Sequence, residues 1–353
     1  MFILDAHLDL SWNALGWNRD LDQTVAEIRL SEAGMTQKAR GKNTVSLPDM
    51  RRGEVGIVVA TLLARANRRS RSSLDFRTQE IACATAQGQL AYYRLLERRG
   101  ACEILLDWPA LKKNFARWEQ DDKDAPFGFI VSMEGADPIL SPSHAADWYE
   151  AGLRAVGLAH YGPSAYAHGT GCEGGLTAAG IELLRVMDQL KMILDLTHLA
   201  DESFWQAMKL FRGPVLASHN NCRAITPGDR QFDDDQIRAI IERDGVIGAP
   251  FDAWMMVPGW TRDATANPQV TLDAAASHID HICQLAGNTR HVGIGSDLDG
   301  GFGTEQSPED LDTIADLQKL YPLLKRRGYS NADVKALFHG NWLRFFERAW
   351  STS

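Results

Sequence analysis

Seven side chains of the kinds that bind metal ions or move protons each stand at or just past the end of a short apolar run: His7, Asp9, Glu134, His160, His198, His219 and Asp297. His7 and Asp9 lie two apart after the run 2–4. Residues i and i+2 of a strand point to one face, so this pair enters a cleft at the strand end together and can hold one cation. Glu134 follows the run 127–133, His160 the run 155–159, and Asp297 the run 292–296. His198 and His219 end the runs 192–197 and 214–218 in the same way. Imidazole with carboxylate suits zinc, and also iron, manganese or cobalt. The set exceeds the four ligands of one tetrahedral zinc. Two metals sharing a carboxylate fit better, with Glu134 as the natural bridge. Paired metals about 3.5–4 Å apart typify hydrolytic sites, where they acidify a water and polarise a scissile carbonyl.

Each residue alone has a plainer explanation. A single strand-end His is commonly a satisfied hydrogen-bonding group, Glu134-Gly135 can open a turn, and Asp297 or Asp299 can cap the turn at Gly300-Gly301. The shared placement outweighs these separate explanations, because buried charge is costly unless paired or metal-bound. His168, His278, His281, His291 and His339 lack that placement and read as structural.

The elements that must position the seven are runs too apolar to be half-exposed strands. With 55–63 and 246–251 they make eight strand candidates. Helical patterns separate most of them, at 78–99, 183–190, 204–211, 237–241 and 272–285. Ser307-Pro308 reads as the start of another helix, and 331–350 as the closing one. Strands buried on both faces and joined through helices form parallel sheets. Eight such units predict a single (β/α)8 barrel over residues 1–353, with the site at the C-terminal strand ends. A doubly wound open sheet is the alternative. Residues 18–49 form a polar excursion containing a helix. The basic stretch 65–73 (RANRRSRSS) reads as a solvated loop that, if it flanks the mouth, would draw acidic substrates.

The chain has 353 residues, is 44% hydrophobic and carries a formal net charge of −9, enough for a large core and unsuited to a general nucleic-acid or anionic-membrane surface. No apolar stretch reaches the ~20 residues of a membrane span, and no secretory signal is readable. Five scattered cysteines form no CxxC pair or disulfide framework, which suits reduced thiols and a cytoplasmic location.

Taken together, these residues resemble the membrane (renal) dipeptidase family of amidohydrolase-like metallopeptidases, and its bacterial members in particular. The resemblance spans almost the whole chain. It rests on DAHLDL at 5–10, LPDMRRGEVG at 47–56, SMEGAD at 132–137, GLAHYG at 157–162, LDLTHLA at 194–200, ASHNNCRAI at 217–225, DRQFDDDQIRAI at 229–240, HVGIGSDLDG at 291–300 and GNWLR at 340–344. It implies two zinc ions bridged by Glu134, one held by His7 and Asp9, the other by His198 and His219. It implies that His160 contacts the substrate carbonyl and stabilises the oxyanion. Arg230 would grip the terminal carboxylate of a dipeptide, and Asp297 would be the general acid and base. The implied reaction is cleavage of a dipeptide, with tolerance of a D-residue at its C-terminal position, by a hydroxide held between the metals. A homodimer is compatible with it. Two departures stand out: Ala6 where the family usually has Gly, and Tyr161-Gly162-Pro163 after the fourth strand. Without the resemblance, Asp229-Arg230 reads as a loop ion pair. Other readings are a barrel amidohydrolase acting on N-acyl amino acids or cyclic amides, and a non-catalytic binding barrel.

Overall fold

The structure, a computed structural model, describes residues 1–67, 75–120, 122–262, 264 and 267–351. Eight parallel strands follow one another around a barrel: β1 (Ile3–Leu8), β2 (Val55–Leu63), β3 (Phe127–Glu134), β4 (Ala155–Gly157), β5 (Ile193–Asp195), β6 (Val215–Leu216), β7 (Ile247–Ala249) and β8 (Val292–Ile294). β8 returns to β1 through the pair Asp5↔Ile294. A single parallel bridge, Ala217↔Ile247, spans the seam between β6 and β7. The barrel is therefore the expected one, and the open-sheet alternative fails.

The strands lack polar alternation because both faces are covered. All nine residues of β2 are buried. Leu4, Ala6, Ile57, Val59, Ile130, Ile193 and Leu216 pack in one cluster, while Val58, Ala60, Phe129 and Val131 belong to a second cluster with helical residues such as Leu90 and Tyr93. Helix starts follow local chemistry. Thr78 caps Gln79–Arg98 by accepting from Ile81 N, and Asp233 with Gln236 forms a capping box on Asp234–Glu242.

One irregularity serves the site directly. Asp5 pairs with Val58 but Leu8 pairs with Ala60, so three residues of β1 oppose two of β2. This is a β-bulge, a device that re-aims a side chain. Ala6 stays with the apolar cluster, and His7 comes round beside Asp9.

Two expectations need correction. No helix starts at Ser307-Pro308, because the Ser307 hydroxyl donates to Gly303 O (3.0 Å) instead of capping. The helical run begins at Ile314–Lys319, where Asp316 accepts from Thr313 N (3.1 Å). The closing segment is not one regular helix either. Asn331–Lys335 passes through a π turn, Ala336–Gly340, into Asn341–Ser351. That segment places His339 Nδ1 on Phe2 O (2.8 Å) and Trp342 Nε1 on Ile294 O (3.0 Å), against Gly293, where a Cβ would collide with the indole. Two short pairings went unforeseen: Cys102–Ile104 beside β3, and Arg65–Ala66 with Asp75–Phe76. Arg68, Arg69 and Arg71 of the basic loop lie outside the described residues. No described helix is long and apolar enough to cross a membrane.

Candidate metal centre

All seven residues converge at the C-terminal mouth. His198 and Asp297 have φ of 67° and 57°. Left-handed backbone is uncommon for residues other than Gly and marks places where the surrounding structure sustains strain. Below them, two carboxylates brace the strand ends. Asp5 Oδ1 accepts from Ser296 N (2.7 Å) and His7 N (3.2 Å), tying β8 to β1. Asp195 Oδ1 accepts from Thr197 N and Ser218 N (both 3.0 Å), tying β5 to β6.

Glu134 stands at the centre. Its Oε1 lies 3.2 Å from Nε2 of both His198 and His219. Its Oε2 lies 3.7 Å from His7 Nε2, which in turn is 3.6 Å from Asp9 Oδ2 and 3.8 Å from Asp297 Oδ1. One carboxylate thus faces two donor sets with its two oxygens, the arrangement a bridge needs. The far nitrogens are anchored by hydroxyls: His7 Nδ1 by Thr61 (3.3 Å), His198 Nδ1 by Thr170 (3.1 Å) and His219 Nδ1 by Ser218 (2.9 Å). Such outer contacts fix ring orientation in metal sites.

The electrostatics fit cations. His7 Nε2, Asp9 Oδ1 and Glu134 Oε1 are buried without a hydrogen-bond partner. Each orphaned group of this kind costs about 1–3 kcal/mol. Burial pushes the Glu134 carboxyl up to about 7, against the opposing charge of His7. Burial also drives Asp297 well above the carboxylate range. Burial works to neutralise His7, yet the charge of Glu134, with Asp9 and Asp297, holds it protonated to about 10. His160, His198 and His219 are driven well below the usual imidazole range, chiefly by burial, which leaves them neutral. Three neutral imidazoles beside crowded carboxylates suit a divalent cation, and the positive charge those carboxylates draw onto His7 is one that a cation would supply in its place.

Above this floor opens a cavity of about 310 Å³. Arg230 lines it, 2% exposed. Its Nη1 donates to Asn220 Oδ1 (2.7 Å) and its Nη2 to His219 O (3.0 Å), while Nε has no partner. The loop ion pair with Asp229 is not formed: Asp229 turns away to accept from Gly171 N (2.8 Å). Asp299, a conceivable substitute for Asp297, is engaged elsewhere. It accepts from Thr44 N (2.7 Å), Thr44 Oγ1 (2.8 Å) and Val45 N (3.1 Å). His168, His278, His281, His291 and His339 stand apart from the cluster and are each bonded elsewhere. His278, for example, accepts from Cys222 N (3.1 Å) and donates to Met256 O (3.0 Å).

Sequence reasoning passed over several residues of the cavity wall: Trp12, Asp252, Arg262 and, as a site residue, Arg65. Asp252 was within reach. It directly follows the run 246–251, the same signal that marked the others. Gln306 donates to both its oxygens (2.8 and 2.9 Å) and burial raises it to about 6. Trp12 and Arg262 carry no comparable local signal.

Barrel, mouth and cluster together define a metal-dependent hydrolase. A sequence model of the membrane dipeptidase family (peptidase family M19) matches residues 1–353. The chain belongs to that family. An uncharacterised protein in the pqqA 5′ region of Klebsiella pneumoniae is 32% identical over 243 residues, 66% of this chain and 86% of that one. An uncharacterised dipeptidase of Schizosaccharomyces pombe is 30% identical over 230 residues, 64% of this chain and 53% of its own. This chain thus spans only about half the length of that relative. Among solved structures, a metallopeptidase from Rhodobacter sphaeroides bound to a phosphinate mimic of L-Ala-D-Ala superposes with a TM-score of 0.79 at 24% identity, covering 99% of both chains. A dipeptidase of family M19 gives 0.80 at 24% identity over 99% of both chains. At that identity the likeness speaks for the fold.

Proposed function

We propose that this protein is a zinc-dependent dipeptidase whose substrates carry a free C-terminal carboxylate. The observation that carries the reading is Arg230: a buried guanidinium with an unpartnered Nε, lining the same cavity as the Glu134 cluster. Guanidinium binds carboxylate through a planar two-bond fork. A carboxylate so placed puts the neighbouring peptide bond over the cluster.

In this reading His7 and Asp9 would hold one cation, His198 and His219 would hold a second, and Glu134 would be shared between them. Bound there, the two cations supply an acidified water and a polarised carbonyl. Asp297 takes up the water's proton and returns it to the leaving amine. His160 donates a hydrogen bond to the oxygen on which charge develops. Because the clamp reads the carboxylate rather than the side chain beside it, a D-residue at the C-terminal position is accepted. The phosphinate mimic of L-Ala-D-Ala in the Rhodobacter sphaeroides relative lends support to that reading.

The test is a screen of zinc-loaded protein, after metal analysis, against L,L and L,D dipeptides with free or blocked ends. Turnover of free dipeptides with about two metals per chain is expected. Fewer than about one bound metal per chain would undercut metal catalysis. Arg230 would suit an N-acyl amino acid equally, so acetylated amino acids belong in the screen. Preferential cleavage of those would replace the dipeptide reading.

A further inference from the structure

His160 is placed ambiguously by distance alone. Its Nε2 lies 3.7 Å from Glu134 Oε1, and with Glu134 and His198 it forms a cluster able to hold a metal. Its other nitrogen removes the ambiguity. Arg65 Nη1 lies 3.1 Å from His160 Nδ1. A guanidinium only donates and does not lose its proton in proteins, so Nδ1 must accept. A neutral imidazole that accepts at Nδ1 carries its one proton on Nε2, the atom facing Glu134.

His198 shows the opposite arrangement. Behind His198 the Thr170 hydroxyl has a single proton to give; donated to His198 O (3.3 Å), it leaves the hydroxyl oxygen to accept from His198 Nδ1–H (3.1 Å). Nδ1 then holds the proton, and Nε2 offers a lone pair to a metal. Two neighbouring rings, with centroids 4.2 Å apart, thus present opposite groups to the same cleft, and the difference comes from what stands behind each.

Arg65 is itself held. Its Nε lies 2.7 Å from Asp75 Oδ1, and Arg65–Ala66 pairs with Asp75–Phe76. Ala66 N donates to Asp137 Oδ2 (2.9 Å), fixing the segment against the loop that follows β3. In the familiar carboxylate–histidine pair, the carboxylate accepts from Nδ1–H and makes Nε2 a base. A cation behind Nδ1 does the reverse.

We propose that Arg65 is a positioning residue for the reaction, locking His160 in the tautomer that presents Nε2–H to the cleft, so that His160 donates to the oxyanion and stays off the metal. The proposal rests on the reading of His160 as an oxyanion donor, but one of its tests needs no turnover.

That test is ¹⁵N NMR of histidine-labelled, zinc-loaded protein. Wild type is expected to show His160 protonated on Nε2, and Arg65→Met to show a mixture or the reverse tautomer. An unchanged tautomer in Arg65→Met overturns the proposal, whatever the enzyme cleaves. In kinetics, losing one oxyanion donor costs about 10²- to 10³-fold. Arg65→Met is expected to lower kcat/KM toward an alanyl dipeptide by roughly 10²-fold or somewhat less. Affinity for a dipeptide phosphinate, a tetrahedral mimic, should fall in parallel, with metal content unchanged. Arg65→Lys, which keeps a donor, should recover part of the loss. In a His160→Ala background the Arg65→Met change should cost almost nothing further. A full additional loss there would mean that Arg65 touches the substrate itself, and a loss of metal would make His160 a ligand. Either result overturns the proposal. If wild type cleaves no dipeptide while the tautomer shift occurs, the functional reading fails and the positioning of His160 stands.

Discussion

Replacing Arg230 with Met should cost this enzyme its preference for a free C-terminus while leaving the metal cluster intact. The guanidinium has five N–H groups. Two are engaged, by Asn220 Oδ1 at 2.7 Å and His219 O at 3.0 Å. Three N–H groups remain, one each on Nε, Nη1 and Nη2, and two of them are enough to grip a carboxylate. Hydrogen bonds to charged groups contribute about 1.5–3 kcal/mol each. Two of them give at least about 3 kcal/mol, or roughly 10²- to 10³-fold in affinity. Met keeps the apolar stem and gives up two internal hydrogen bonds of about 1 kcal/mol each, so a lower melting temperature is expected without unfolding. The assay compares kcat/KM for a dipeptide and its C-terminal amide. Wild type should favour the free acid by roughly 10²-fold or more, and the variant should treat the two nearly alike. Arg230→Lys should recover little, because an ammonium lacks the fork. If the acid-to-amide ratio survives in Arg230→Met with metal content normal, the clamp is wrong.

Three further expectations follow from particular contacts. Asp297→Asn should retain its metals and lose about 10²- to 10⁴-fold in kcat; near-normal turnover would remove the proton-transfer role. Asp299→Ala should destabilise the fold by about 3 kcal/mol, because it removes the acceptor of the buried Thr44 and Val45 amides and of the Thr44 hydroxyl, while Arg19 keeps its ion pair with Glu32 and the surviving folded fraction keeps its kcat. A kcat defect at full folding would show that Asp299 acts in the chemistry. His278 is buried and depressed to about 4, chiefly by burial. Its unfolded form takes up a proton below ~6.5. Its contribution to stability is therefore present above that pH and lost as pH falls toward 4. Denaturant titrations from pH 7 to 4 should show one proton less in the slope for His278→Gln, and an identical slope would refute the assignment.

The barrel and its seven cleft residues were legible because both signals are local. Each apolar run announces a strand, and the next polar residue is carried to the mouth by the fold's own geometry. The same rule reaches Asp252, which follows the run 246–251 as directly as Asp297 follows 292–296. What each residue does was less legible, because that depends on contacts across long sequence separations. The neighbour Asp229 suggested a partner for Arg230, yet its carboxylate bonds Gly171 N, while Arg230 turns to Asn220 Oδ1 and His219 O and keeps Nε–H unpartnered. Asp5, which shares the first motif with His7 and Asp9, had no assignable role until β8 came alongside, and it serves as a brace on Ser296 N. His160 and His198 are indistinguishable as strand-end histidines. Arg65, 95 residues from His160, and Thr170, 28 from His198, give them opposite protons. A sequence motif therefore specifies which atoms arrive at the cleft. Whether an imidazole nitrogen arrives there as a donor or as a ligand is decided by the residue behind it, and in this chain that residue belongs to a segment that carries no metal-site motif.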